Sequence, residues 1–330
     1  EVAALAANTI AKEAVAESVS VVLGPGVNMK RSPLCGRNFE YFSEDPYFAG
    51  DFAAAYINAM QGNGVGSCIK HFAVNNQETR RFTVSANVAA RPLHEIYLRA
   101  FESAIERAKP EAIMESYNRI NGKHAAESRW LLDDLLRKKW GFEGVVMSDW
   151  DAVNDRVASL EAGLDLEMPT SHGSGRDYIL SALASGRIDE VLLDRSARRV
   201  LALAVKERPT PVPVDRAAQH AAALACAREC MVLLKNEKDA LPLAEGARIA
   251  VIGDAEHMRY QGSGSSKVVV ESAVTDALAE MKKYTDTVTY VPFADGIDAA
   301  VEAAKACDKV VLFLGLPESA EYEPTSMRST

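Results

Sequence analysis

The 330-residue sequence has no apolar run near the ~20 residues that a membrane-spanning helix requires. It shows no basic start followed by an apolar stretch of the kind that marks a secretory leader. No membrane association is therefore expected. Because the chain opens at Glu1 rather than at Met, the compartment itself stays open. Cysteine is scarce: the five present are an odd number without framework spacing, which excludes a disulfide-built scaffold. Free thiols of this kind lean toward a reducing compartment such as the cytoplasm. Cys226 and Cys230 would share one helical face, but no histidine or further cysteine stands near them, so no metal centre is expected. They read as small core residues. Lysine and arginine are scattered, and the net charge is -9, so the basic footprint that nucleic acid demands is missing. The glycine-rich stretch RYQGSGSSKV lacks a third glycine, comes well after the ARIAVIG strand and opens no helix, which argues against a dinucleotide cradle.

What the chain does have is apolar material in short, regular doses. At 48% hydrophobic and 25% charged it can bury a large core, and its length suggests two domains. In the first half the strand candidates VSVVLGP, GSCIKHF, EAIMESY, GVVMSDW and GLDLEM alternate with helical segments such as LHEIYLRAFESAIERA. Repeated βα units build a barrel or a doubly wound sheet. The alternating prolines and valines of KERPTPVPVDR then interrupt the pattern with a stiff, extended connection. Beyond it ARIAVIG, VTYVP and KVVLFLG again read as parallel strands among helices. The expected division is a barrel domain over 1–205, a linker over 206–216 and an α/β sandwich over 217–330.

Chemistry concentrates where the first-half strands end. VVMSDW sends the carboxylate of Asp149 and the indole of Trp150 out of an apolar strand, at the corner where α/β enzymes keep catalytic groups. For an isolated Ser-Asp pair, capping of the next helix is the plainer explanation. Loops after parallel strands emerge on one face, however, and the neighbouring ones carry matching groups. Arg37, Glu40, Glu44 and Asp45 follow the first strand, Lys70 and His71 the second, and Tyr117 the third. Cations, an imidazole, a phenol, an indole and a carboxylate suit a polyhydroxylated ring: charged partners for its hydroxyls and aromatic faces for its C–H surface.

The stretches GPGVNMKRSPLCGRNFEYFSEDPYFAG, KHFAVNNQETRR, SYNRING and WGFEGVVMSDW, followed by AGLDLEMP, LLKNE and RYQGSGSS, together resemble glycoside hydrolase family 3. The resemblance covers nearly the whole chain in the family's order. It implies a (β/α)8-type TIM barrel followed by an α/β sandwich, and retaining hydrolysis of β-glycosides from the non-reducing end without metal or organic cofactor. It makes Asp149 the nucleophile. It assigns Arg37, Lys70 and His71 to the hydroxyls of the cleaved sugar, with Tyr117 beside the nucleophile and Met114, Trp150 and Met168 lining the same pocket. Ser263 or Ser265 would reach the sugar from the second domain. FAVNNQETRR lacks the His and Asp of the family's N-acetylglucosaminidase branch, so the glucosidase and xylosidase branch fits. The expected substrate is a β-linked oligosaccharide or an aryl or alkyl β-glycoside. A β-xylosidase and a catalytically silent sugar-binding relative are the alternatives. Neighbouring Arg and Lys charges are expected to lower the pKa of Asp149.

Two departures stand out. Where the family has Glu-Ser-Glu-Gly, this chain has Glu321-Tyr322-Glu323-Pro324, and Pro324 fixes a φ that a glycine leaves free. The resemblance aligns the acid/base with Glu323, while Glu318 and Glu321 remain alternatives and a solvated tail is the plain reading. The family's first barrel strands would precede Glu1, and the rest of its sandwich would follow Thr330. The expectation is a fragment whose two domains need further polypeptide for completion.

Overall fold

The computed structural model describes residues 1–238, 240–256 and 275–315. They belong to two compact units that divide between Cys230 and Met231.

In the first unit four parallel strands lie side by side in the order Val21–Val22, Gly66–Phe72, Ala112–Glu115 and Val145–Met147. A further parallel bridge joins Met147 to Leu166 and carries the wall onward. The intervening chain forms covering helices: Pro46–Gly62 after the first strand, Arg99–Ala108 after the second and Trp130–Lys139 after the third. Strand periodicity decides which side each residue serves. Cys68, Ala112, Met114, Val145 and Met147 fill the inner face. Ile69, Phe72, Ile113 and Val146 turn outward against Ile57, Phe101, Leu132 and Leu136 of the helices. At roughly 1.5–3 kcal/mol per fully buried large apolar side chain, this outer layer is the main source of cohesion. The result is an arc of a (β/α)8-type barrel, with all strand C-termini on one side.

Local chemistry sets the helix starts. Asp45 accepts hydrogen bonds from the main-chain N–H groups of Tyr47 and Phe48 at 2.8 and 3.3 Å, with Pro46 in the first turn. Asp45 is therefore a helix cap rather than part of a sugar site. Gly50 lets the helix approach Arg99–Ala108, since a Cβ there would stand 2.9 Å from the Cβ of Ser103. Asp165 is the buried keystone of the last strand: it accepts from Val146 N at 2.9 Å, Arg137 Nη2 at 2.5 Å and Arg199 Nη1 at 3.1 Å.

The alanine stripe of helix Val2–Ala16 (Ala7, Ala11, Ala14) packs on Met60 and Val65. Helix Arg216–Glu229, which the sequence groups with the second domain, also rests on it, and Gln219 Nε2 donates to Thr9 O at 2.8 Å. That helix covers its neighbour along one side only. Cys226 is consequently half-buried and Cys230 exposed, in contrast to their reading as core residues. All five thiols are free.

The second unit is built on a three-stranded parallel sheet with Ile249–Gly253 between Lys309–Phe313 and Val288–Val291. Helix Ala277–Met281 packs through Leu278 with Ile249 and Val251. Helix Gly296–Ala306 packs through Ala303 with Ala250 and Ile252 on the other face. This is the α/β layering that ARIAVIG, VTYVP and KVVLFLG predict. No helix among the described residues is long and apolar enough to cross a membrane.

Candidate active site

Asp149 stands just past strand Val145–Met147 and is 6% exposed. Its Oδ1 accepts from the Tyr117 hydroxyl at 2.9 Å and from the main-chain N–H of Trp150 at 2.8 Å. Its Oδ2 has no hydrogen-bond partner among the described residues, and the Nε2 of His71 lies 3.6 Å away. One oxygen is thus anchored and the other is buried without a hydrogen-bond partner among the described residues.

The basic residues converge on the same strand ends through an acidic bridge. Glu40 receives Arg37 Nε on Oε1, and Lys70 Nζ lies 3.4 Å from its Oε2. Burial pushes the Glu40 carboxyl up, but the charges and hydrogen bonds of Lys70 and Arg37 outweigh it and hold Glu40 below its usual range. Arg37 itself is 3% exposed, yet stays firmly charged: burial opposes the cation and is overcome by Tyr41 and Glu40. His71 follows Lys70 across a cis peptide and is fixed from both sides. Its main-chain N–H and C=O each pair with the Asn28 side chain at 2.9 Å, and its Nδ1 lies 3.1 Å from the Tyr41 hydroxyl. The Asn75 amide donates to that hydroxyl oxygen at 3.5 Å, which leaves the phenol hydrogen for Nδ1 and assigns the ring proton to Nε2, facing Asp149. Burial, reinforced by Arg37, Lys70 and Arg81, depresses the His71 pKa well below the ordinary value, so the ring is neutral.

Tyr117 is steadied by neighbours on its ring. The Arg81 guanidinium sits 4.1 Å from the ring centroid, and Phe82 packs against it at 4.6 Å. Arg81 in turn pairs with buried Glu78 at 2.9 Å. Met114 is buried in the inner cluster, against which Met168 packs half-buried, while Trp150 is 38% exposed beside Asp149. Ser263, Ser265, Glu318, Glu321 and Glu323 lie outside the described residues.

The cations act on Asp149 as expected, but they do not decide its net shift. Arg37 and Lys70 do act to lower the Asp149 pKa, as do the Trp150 N–H and the Tyr117 hydroxyl, but burial opposes them more strongly and the net shift is upward. The reason is burial: the Asp149 carboxyl is 6% exposed, and the lost hydration costs its charged form more than Arg37 and Lys70 return. A cleft of about 650 Å³ lined by Glu111, Trp140, Gly144 and Lys206 opens at the opposite strand ends and holds none of these groups.

Residues 1–203 match the model of the glycosyl hydrolase family 3 N-terminal domain, and residues 231–330 match that of its C-terminal domain. The chain belongs to glycosyl hydrolase family 3. The boundary at 231 coincides with the division of the two compact units. Among family 3 relatives, thermostable β-glucosidase B of Acetivibrio thermocellus is 46% identical over 330 residues, covering 95% of this chain and 44% of that protein. An exo-α-(1→6)-L-arabinopyranosidase of Bifidobacterium breve is 46% identical over 336 residues with the same coverage of both, 95% and 44%. The crystal structure of a Bifidobacterium adolescentis family 3 β-glucosidase superimposes with a TM-score of 0.90 at 46% identity, over 100% of this chain and 50% of that one. The chain thus spans about half the length of the relatives it matches.

Tyr41, Asn28 and Asn75 support the candidate site without standing in the sequence-derived set. Glu40 was legible as a charged loop residue three positions from Arg37. Asn28 and Tyr41 pair with His71 from 43 and 30 positions away and Asn75 with Tyr41 from 34, and composition offers no signal for such pairings.

Proposed function

We propose that the protein carrying this chain is a retaining, exo-acting β-glycosidase that releases terminal non-reducing β-D-glucosyl residues. The observation that carries this reading is the divided role of the Asp149 carboxylate: Oδ1 held by Tyr117 and Trp150, Oδ2 unpartnered and buried beside neutral His71. A free oxygen on an immobilised carboxylate suits in-line attack on an anomeric carbon. In the first step Oδ2 bonds to the anomeric carbon as the glycosidic C–O bond breaks, and the leaving oxygen takes a proton from a general acid. In the second step the same group removes a proton from water, which displaces Asp149 and returns the sugar with its original configuration.

Arg37 and Lys70, bridged by Glu40, present cationic donors to sugar hydroxyls, and His71 offers its Nε2 hydrogen. Met114, Met168 and Trp150 supply apolar and aromatic contact for the sugar's C–H surface. Glu323 is the proposed acid/base, with Ser263 as a further contact. The names of the relatives bear on substrate. Two are β-glucosidases and one is an exo-α-(1→6)-L-arabinopyranosidase, whose substrate class presents the same equatorial anomeric bond.

The test is trapping with a 2-fluoro-β-glucoside, followed by peptide mapping and a panel of aryl β-glucoside, β-xyloside and α-L-arabinopyranoside. A label on Asp149 and fastest turnover of the glucoside are expected. Label on another residue refutes the nucleophile, and preference for the arabinoside refutes the sugar. In a D149N protein all turnover should be lost.

A further inference from the structure

The two oxygens of Asp149 are reached by two chains of contacts, and both lead back to one buried carboxylate that the reaction outlined above does not use. Glu78 is 1% exposed. Its Oε2 accepts from Arg81 Nη1 at 2.9 Å, and the Arg81 guanidinium sits 4.1 Å from the ring centroid of Tyr117, whose hydroxyl donates to Asp149 Oδ1. Its Oε1 accepts from Asn75 Nδ2 at 3.1 Å. The same amide nitrogen reaches the Tyr41 hydroxyl at 3.5 Å, that hydroxyl lies 3.1 Å from His71 Nδ1, and His71 Nε2 lies 3.6 Å from Asp149 Oδ2.

Donor and acceptor rules give the second chain a direction. An ionised carboxylate only accepts, so the end of Asn75 that faces Glu78 is its NH2 group. The carbonyl end of that buried amide has no hydrogen-bond partner among the described residues, so nothing there dictates its orientation. The amide nitrogen can only donate to Tyr41, and the Tyr41 hydroxyl, in a side chain 3% exposed, has His71 Nδ1 as the acceptor for its own hydrogen. Nδ1 is thereby the bare nitrogen of the neutral ring, and the proton rests on Nε2. Each link fixes the polarity of the next.

We propose that Glu78 is a positioning residue which sets the tautomer of His71: by accepting from the Asn75 amide it orients Asn75 and Tyr41 so that the imidazole proton faces Asp149. Its bond to Arg81, braced on the Tyr117 ring, keeps Oε2 engaged and leaves Oε1 for Asn75. The functional value of the tautomer rests on the reading of Asp149 as nucleophile and His71 as a donor to the sugar. With the opposite polarity Nε2 would present a lone pair to a carboxylate and offer the sugar no hydrogen. An amide at position 78 brings about that reversal, because its single oxygen goes to the charged Arg81 and its NH2 group then faces Asn75, which turns over to accept. The turned Asn75 presents its oxygen to Tyr41, takes the phenol hydrogen and leaves His71 Nδ1 to carry the ring proton.

The experiment is two-bond 15N–1H NMR of 15N-histidine-labelled intact protein at pH 8, above the pKa of about 7 that burial gives Glu78, so that the carboxylate is ionised. Loss of its signals in H71N identifies His71 among the six histidines. The native protein should show a neutral His71 with the proton on Nε2, and E78Q one with the proton on Nδ1. In E78Q, kcat/KM on an aryl β-glucoside should fall about tenfold or more, the cost of one lost donor. Y41F cuts the relay, so adding E78Q to it should leave the His71 signals where Y41F puts them; a further move overturns the proposal. An Nδ1–H tautomer in the native protein overturns it whether or not E78Q folds, and so does an E78Q protein that keeps the Nε2–H form, whatever its activity. A purely structural role would slow the enzyme and leave the tautomer alone. Mapping of the 2-fluoro-glucoside label tests the underlying reading separately: label away from Asp149 removes the functional value of the tautomer, whereas the spectra decide the part played by Glu78.

Discussion

The hydroxyl of Tyr117 donates to Oδ1 of Asp149 at 2.9 Å, across 32 positions of sequence, and leaves Oδ2 unpartnered. That bond lowers the Asp149 pKa against the stronger upward push of burial. In Y117F the anchored oxygen loses its side-chain donor. The acid limb of kcat/KM, which follows ionisation of the nucleophile, should move to higher pH, and kcat on an aryl β-glucoside should fall about tenfold, roughly 1.4 kcal/mol. A steady-state pH series checks both, and an unmoved limb would separate Tyr117 from the nucleophile's ionisation.

Glu40 ties Arg37 to Lys70, and its removal should act in the opposite electrostatic direction. In E40Q both cations are released from their anionic partner, their field at Asp149 strengthens, and the acid limb should shift to lower pH. Sugar binding should suffer, because the two donors lose their fixed positions, with KM rising about tenfold or more. The same pH series reads the shift, and glucose inhibition reads the binding.

Glu78 has its pKa raised from 4.5 to about 7, first by burial, which outweighs the opposing charges of Arg37 and Arg81 and its hydrogen bonds to Arg81 and Asn75. A carboxyl raised on folding binds its proton more tightly in the native state. Its contribution to stability is complete below pH 4.5 and is lost as pH rises toward 7. Relative to E78Q, the native protein should therefore lose on the order of 3 kcal/mol across that window, at about 1.4 kcal/mol per pKa unit. Denaturant melts of both proteins at the two ends of the window measure it; parallel curves would refute it.

Asp165 neutralises Arg137 and Arg199 under the strand that carries Asp149, and its side chain is 1% exposed. D165A should cost about 3–5 kcal/mol, because it strands a buried guanidinium and frees the N–H of Val146. Urea denaturation supplies the number. A loss below about 1 kcal/mol, the worth of a surface pair, would show that the arginines find other partners.

The sequence by itself was enough to specify the parallel α/β character of both units and the gathering of Arg37, Lys70, His71, Tyr117 and Asp149 at one set of strand ends. Period-two alternation and strand-to-helix corners are local properties, and parallel topology then sends every such corner to the same face. Only the tertiary structure decided the ionisation of those residues. Burial outweighed the downward pull of Arg37 and Lys70 on Asp149, Glu40 paired with both cations, and Asp45 became a helix cap. The pKa of a carboxyl depends on how much water is removed and on which charges arrive from distant segments. Neither quantity is written in the spacing of residue types along a chain.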